Sequence, residues 1–439
     1  MKTLKKLSPL FCLLLLVSSC SSTNVGEWIS IGSSSVHVKT TTPGTNVSPF
    51  NTVFLLKYFE NDKKDYDASF EEELKNTFID TITSTHKEFD RHYSYYLNDS
   101  SKDLITNVKT INDSYGTNEW VTCSDELYDL IKQGHELTLL TDGYFNFYVG
   151  RLVDFWAEIL DEINNYSDPM EWDPLYNERQ LTKQKELAYS VPSLEEIQNI
   201  MSFDDQNKRV RFNVVDDVVY EGKTLERSKK NSPYRPLITS GGIAKGLAAD
   251  YIKEALVKKN FTDGYINCGQ SSISMLSNPN FTPNHTQKIN IKDPRSLPYE
   301  DKLAFSLTFD YEFNLSTSGN YTVGHSYTIY HPETHKIIYR HHIIDPTSGD
   351  CSQYHSSVSI FSNTFSNAEL DAFSTALVNL STEDGLKFRE KLLQEYPEHD
   401  LGIIFLDLNA EEKKVNLTIT KEHKDIVEVK GQDYEVVYA

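Results

Sequence analysis

Apolar positions along the chain alternate between two spacings. In "ASFEEELKNTFIDTITSTHKEFDRHY" they recur at Phe70, Leu74, Phe78, Ile79 and Ile82, three or four apart, which predicts a helix with one buried face. "SDELYDLIKQGHELTLLT" has the same period and opens on Ser124, an N-cap residue, with Glu126 close behind. "VPSLEEIQNIM", "AELDAFSTALVNL" and "TEDGLKFREKLLQEY" predict further helices, the last beginning at a Ser/Thr cap. After Gly246, residues Leu247, Tyr251, Ile252, Ala255 and Leu256 share a helical face. Between these lie strand-like runs: "NTVFLLKYF", "DGYINCG", "AFSLTFDYEFNLSTSGNYT", "HSYTIYHPETHKIIYRHHIID", "HSSVSIFS", "DLGIIFLDL" and "KVNLTITK". "KRVRFNVVDDVVYEG" reads as a hairpin, and "FNFYVGRLVDFWAEIL" is apolar and aromatic throughout. Helices intermixed with hairpin-linked strands predict an α/β (α+β) mixed sheet with helical layers.

The N-terminus departs from this pattern. Lys2, Lys5 and Lys6 precede an apolar run, Leu7 to Val17, too short to span a bilayer comfortably. The run ends in "VSSC" and a polar tail, which resembles a bacterial lipobox with Cys20 as the lipidated residue. The expected organisation is a signal peptide over 1–19, a lipidated tether rich in Ser, Thr, Gly and Asn over 20–50, and one domain over 51–439. An inserted polar loop is expected near 164–184. The expected location is extracytoplasmic, lipid-anchored to the bacterial cell membrane. Removing residues 1–19 takes away three lysines and no acids, so the net charge moves from −21 to −24. Such a field argues against nucleic acid as a partner, and a diphosphate ligand would need local cations or backbone N–H donors. Cys123, Cys268 and Cys351 fit no metal spacing and allow one disulfide at most.

Four stretches carry candidate chemistry. In "ITSGGIAKGLAADYI", Gly241 and Gly242 permit close approach of a backbone, and the following helix offers N–H groups beside Lys245. This is a phosphate cradle or a plain strand-to-helix turn. In "HHIIDPTSG", His341 and His342 point to opposite faces of a strand. At most one can face a given site, as a general base or as a satisfied structural histidine. In "AELDAFSTALVNL", Asp371 and Thr375 lie four apart and share a helix face. They suit a hard cation such as Mg2+, or else a helix-terminal acid and a threonine bonded back to a carbonyl. In "TDGYFNFYVGRLVDFW", the aromatics are walls for a flat ring or simply core.

Taken in order, "GGIAKG", "STSGNY", "HHIIDPTSG" and "LDAFSTAL", together with "TDGYFNFYVGRLVDFW" and "VPSLEEI", resemble the bacterial FAD:protein FMN transferases, the ApbE-type flavin transferases. The resemblance runs from about Gly44 to the C-terminus. Weaker matches lie around Tyr96 and in "TTPGT". It implies an α/β fold with a flavin cleft between two subregions. It also implies a Mg2+-dependent reaction that cleaves FAD, moves FMN onto a Thr or Ser hydroxyl of an exported client protein and releases AMP. By motif, Asp371, Thr375 and the backbone of Gly242 would hold Mg2+, and His342 would be the catalytic base. Tyr96, Tyr144, Phe145, Asn146, Thr239, Lys245, Ile344 and Ser374 would lie along FAD.

Four positions depart from the family's usual residues. Thr239 stands for an Asp before the glycine pair, "GQS" at Gly269–Ser271 for "GGN", Asn146 for an Asp, and Pro43 for a Met. These fall mostly on the nucleotide side, while the metal pair, the lysine and the histidine are intact. Two other readings follow: a Mg2+-dependent FAD pyrophosphatase yielding FMN and AMP, or a non-catalytic flavin-binding lipoprotein.

Overall fold

The computed structural model describes residues 26–61, 67–98, 100–163, 177–276, 285–296, 301–320, 327–330, 337–409, 414–431 and 433–439. The expected signal peptide, Cys20 and residues 164–176 of the expected loop lie outside this set. Helices are numbered α1 (Ala68–Phe89), α2 (Val108–Ser114), α3 (Asp125–Leu140), α4 (Gly150–Ile163), α5 (Glu178–Ser190), α6 (Leu194–Ile200), α7 (Ala244–Lys258), α8 (Asn367–Val378) and α9 (Thr382–Glu395).

The frame is a nine-stranded sheet among the described residues. Its order is Gly26–Gly32, Phe54–Asn61, Tyr265–Cys268, Ser272–Met275, Asn314–Gly319, Ser357–Ser362, Gly402–Asn409, Lys414–Ile419 and Tyr434–Tyr438. Every neighbouring pair is antiparallel except the last, which is parallel. Side chains alternate between the faces, as a pleated strand requires. Ile273, Met275, Leu315 and Phe361 pack with Phe305, Leu307 and Phe309 of a second, three-stranded sheet. On the opposite face, Val358 and Ile360 join a core with Ala368, Ala372 and Ala376 of α8 and Leu247 of α7. The centre of the main sheet is thus covered on both sides, which gives the layered architecture expected.

Caps set two helix ends as the sequence predicts, and the structure adds two more. Ser124 accepts from the Leu127 N–H at the start of α3, and Ser381 accepts from the Asp384 N–H at the start of α9. Ser366 and Glu369 form a reciprocal capping box at α8, as do Ser193 and Glu196 at α6.

Three sequence expectations need correction. The segment read as tether is structured from Gly26: Gly26–Gly32 pairs with Phe54–Asn61 and becomes the sheet edge. Ile29 and Ile31 pack against the core while Trp28 and Ser30 are exposed, the alternation of a strand covered on one face. The expected loop 164–184 ends inside α5, where Gln184 and Leu187 are buried, because polar helix residues there cover other segments. "KRVRFNVVDDVVYEG" is not one hairpin. Arg209–Phe212 pairs with Met201–Asp204 and Val121–Thr122, while Val218–Tyr220 turns onto Lys223–Leu225. Cys123, Cys268 and Cys351 are buried free thiols.

Candidate active site at the junction of two helices

Two helices from distant parts of the chain meet on the helical face of the sheet. The approach to α7 is held firmly. The Asn112 side chain brackets Ile238, accepting from its N–H (2.8 Å) and donating to its carbonyl (3.1 Å). The Thr239 N–H donates to the Phe147 carbonyl at 2.9 Å, and the Ser240 hydroxyl to the Phe89 carbonyl at 3.0 Å. The chain then turns through Gly241 and Gly242 into α7. The Ala244 N–H donates to the Ser240 carbonyl (2.9 Å) and the Leu247 N–H to the Ile243 carbonyl (3.0 Å), while the Gly246 N–H, which a regular helix would send to the Gly242 carbonyl, is taken by Asp371 instead. A Cβ at Gly242 would lie 3.1 Å from both the Phe145 ring and Thr375 Oγ1, so this backbone abuts α8 directly.

Helix α8 supplies the other half. Asp371, Thr375 and Asn379 follow at intervals of four, on one face and over about 12 Å. Asp371 is buried and acceptor-saturated on one oxygen. Its Oδ1 accepts from the Ser272 hydroxyl (2.6 Å) and the Ser316 hydroxyl (2.7 Å), and its Oδ2 accepts from the Gly246 N–H of α7 (2.7 Å). Ser272 and Ser316 are paired across neighbouring strands and so face α8 together. Ser374 continues this polar strip through Ser316 (3.1 Å) and Ser318 (2.7 Å). Burial raises the pKa of the Asp371 carboxyl above its ordinary value; Lys245 and the three donated hydrogen bonds pull the other way. A lysine in the first turn of α7 opposes the helix dipole, and Asp371 is the anion that offsets it. Thr375 Oγ1 donates to the Asp371 carbonyl at 2.9 Å, the back-bonded geometry open from the sequence, and keeps its lone pairs.

Asn379 closes the far end. Its amide donates to the carbonyls of Tyr144 and Ile344, each at 3.1 Å. The Tyr144–Asn146 turn and the "HHIID" segment are thereby tied to the helix that carries Asp371 and Thr375. His341 and His342 separate as expected. His341 is fully buried, with Nε2 against the Ser352 carbonyl (2.7 Å) and Nδ1 accepting from the Ile343 N–H (3.2 Å). Burial lowers its pKa to about 4. His342 is exposed. Asp345 serves its own turn, accepting from the Thr347 N–H and from the Thr347 and Ser348 hydroxyls. Behind the turn, Trp156 of α4 and Gln184 of α5 donate to the carbonyls of Gly349 (2.9 Å) and Ser348 (2.7 Å).

The aromatic stretch divides. Phe147, Tyr148, Phe155 and Trp156 are core, whereas Tyr144 is half-buried and Phe145 is placed against Gly242. Asn146 and Pro346–Ser348 line an open groove of about 610 Å3, walled also by Leu194, Tyr189 and Tyr220. Tyr96 is 44 % exposed on a separate loop, bridged to Leu104 rather than to α7 or α8. Pro43 and Gly44 (φ +77°) form a turn closed by the Thr45 N–H on the Thr42 carbonyl (3.1 Å), and the adjoining Thr41 N–H bonds the Ser94 carbonyl beside the Tyr96 loop.

Among the described residues, no three His, Cys, Asp or Glu side chains gather as a metal cluster. The donors at the junction are instead one carboxylate, one hydroxyl and one carbonyl. That oxygen set fits Mg2+, which takes few protein ligands and keeps water or phosphate oxygens for the rest. Ser272, Ser316, Ser318 and Asn379 went unassigned in the sequence. Local signals existed nonetheless: Ser316 and Ser318 lie within "STSGNY", and Asn379 extends the four-residue spacing of Asp371 and Thr375.

Comparison with known proteins adds independent findings. A model described as the ApbE family matches residues 50–397. No curated protein matches. Among solved structures, an ApbE protein from Thermotoga maritima is similar at 20 % identity and TM-score 0.54, covering 89 % of this chain and 96 % of its own. The flavin transferase ApbE from Vibrio cholerae is similar at 15 % identity and TM-score 0.58, with 91 % and 99 % covered. The flavinyl transferase ApbE from Pseudomonas stutzeri, in its apo form, is similar at 16 % identity and TM-score 0.55, with 92 % and 98 % covered.

Proposed function

The chain belongs to the ApbE family, and from that premise we propose that it transfers FMN from FAD onto a Thr or Ser hydroxyl of an exported client protein, releasing AMP. The observation that carries this reading is the α7–α8 junction. Gly242 from the turn into α7 and Lys245 from its first turn stand beside Asp371 and Thr375 of α8, and Asp371 is bonded directly to the Gly246 N–H. Asp371, Thr375 and the Gly242 carbonyl would hold Mg2+. When bound, the ion supplies charge stabilisation to the diphosphate. Lys245 adds a second positive group in a protein whose overall charge is −21.

The acceptor hydroxyl oxygen forms a bond to the phosphorus of the FMN half of FAD. The bond from that phosphorus to the bridging oxygen breaks, and AMP leaves with the electron pair. His342 takes the hydroxyl proton. His341 is unsuited to this role because both its ring nitrogens are engaged in the core. Tyr144, Phe145, Asn146, Thr239, Ile344 and Ser374 are assigned to the FAD cleft around this junction, with Tyr96 approaching from its own loop. An extracytoplasmic, lipid-anchored location through Cys20 belongs to the same reading.

The test is incubation with FAD, Mg2+ and a client domain carrying an acceptor threonine, resolved by in-gel flavin fluorescence and nucleotide analysis. A fluorescent client with equimolar AMP is the expected result. Free FMN and AMP with an unlabelled client would assign a FAD pyrophosphatase instead. Bound, unchanged FAD would leave a flavin-binding protein without catalysis.

A further inference from the structure

The junction of α7 and α8 is pinned by two carboxylates, not one. Asp371 of α8 reaches the Gly246 N–H in the first turn of α7. One turn further along α7, Asp250 reaches back to the start of α8. Its Oδ1 accepts from the Asn367 N–H (3.1 Å) and the Asn367 side-chain amide (3.0 Å), and its Oδ2 accepts from the Ala368 N–H (3.0 Å). The pairs 246/371 and 250/367 are each one turn apart and run in opposite directions. The helices are therefore antiparallel, and each sends a carboxylate to the N-terminal N–H groups of the other.

Between the two links the backbones touch. A Cβ on Gly246 would lie 2.2 Å from the Asn367 carbonyl oxygen, so α7 and α8 meet with no side chain between them at that point. Asn367 is fully buried and also donates to Asn314 Oδ1 (3.0 Å), which anchors the start of α8 to the sheet. Sliding of one helix along the other would break three hydrogen bonds at Asp250 together. Asp250 meets the N-terminus of α8, about two turns of that helix before Thr375.

We propose that Asp250 is a positioning residue that fixes the register of α8 against α7, so that Asp371 and Thr375 stay opposite Gly242 and Lys245. The proposal rests on the reading of Gly242, Asp371 and Thr375 as a divalent-cation site. Side chains that orient ligands in this way set metal affinity as well as activity.

The test uses Mn2+ alone as the probe, with free Mn2+ measured by EPR during titration of the full chain. Asp250→Asn places an amide where three donors expect an acceptor, and it should weaken Mn2+ binding about 10- to 100-fold. Asp293→Asn is the comparator: Asp293 is also buried and hydrogen-bonded, to Arg295 and Tyr434, at a different sheet. It should lower the melting temperature and leave Mn2+ affinity unchanged. Should Asp250→Asn fail to fold, Asn367→Ala keeps the backbone donors, removes the side-chain links to Asp250 and Asn314 and should give a smaller weakening. Wild-type protein that takes up no Mn2+ overturns the cation reading itself. Wild-type uptake with equal affinity in the folded Asp250 and Asn367 variants overturns the positioning role alone.

Discussion

At the scale of single residues, Asp371 has a structural duty and, on the proposed reading, a chemical one, and two substitutions separate them. Asp371→Ala leaves the Gly246 N–H, Ser272 and Ser316 without their acceptor. Stability should fall by about 2–3 kcal/mol, the cost of stranding buried donors. Asp371→Asn keeps the volume and one acceptor oxygen, so it should lose less stability. Flavin transfer should fall at least about 100-fold in both, because each removes the negative charge that a cation requires. Urea denaturation and client labelling measure the two effects separately; transfer surviving in Asp371→Asn would reject the metal assignment. The adjacent histidines divide in the same manner. His342→Ala should reduce kcat by about 100-fold or more with little change in KM for FAD, as loss of a general base does. His341→Ala should act mainly on stability, by emptying a core position and stranding the Ile343 N–H.

At the scale of elements, one glycine-dependent contact shows local preference yielding to packing, and one turn shows the reverse. Alanine at Gly246 would gain about 1 kcal/mol in helix propensity. Its Cβ would overlap the Asn367 carbonyl, and separating the helices costs about 1–3 kcal/mol. Gly246→Ala is therefore expected to lower the melting temperature despite being the better helix former. The opposite holds at the turn from Cys268 to Ser271, where both central residues have positive φ: Gly269 at +63° and Gln270 at +63°. Gln270 is held there by Asn267, whose side chain accepts its N–H at 2.9 Å. A non-glycine residue in this region is strained by about 1 kcal/mol, so Gln270→Gly should raise the denaturation midpoint. An unchanged or lowered midpoint would mean that the Gln270 side chain contributes more than its backbone costs.

At the scale of the whole molecule, acid sensitivity follows from what the core buries. His341 is neutral in the folded protein, with a pKa lowered to about 4 from an ordinary 6.5. Its contribution to stability is fully present above pH 6.5 and is lost as the pH falls toward 4, by about 3 kcal/mol in all. Buried carboxyls run the other way. Glu88 is raised to about 7 and Asp250 to about 6, so their contributions are present at low pH and are lost as the pH rises through those values. Denaturation midpoints at pH 7.5, 6 and 5 for the native chain and for His341→Gln isolate the histidine. The variant should show the smaller loss on acidification; equal slopes would contradict the burial argument.

Much of this was legible one segment at a time. Helix caps at Ser124 and Ser381, the shared face of Asp371 and Thr375 and the divergence of His341 from His342 are properties of residues within a few positions of one another. Period and capping encode such properties directly. The family motifs are legible for the same reason. What tertiary structure alone decided is which segments meet. Asp371 finds the Gly246 N–H across 125 residues, and Asn379 finds the Tyr144 carbonyl across 235. The edge strand at Gly26–Gly32 resembles a tether in sequence for the same reason: its partner, Phe54–Asn61, lies elsewhere in the chain. No local periodicity specifies a hydrogen-bond partner at that distance. It is set by how the sheet orders its strands and how closely α7 and α8 pack upon it.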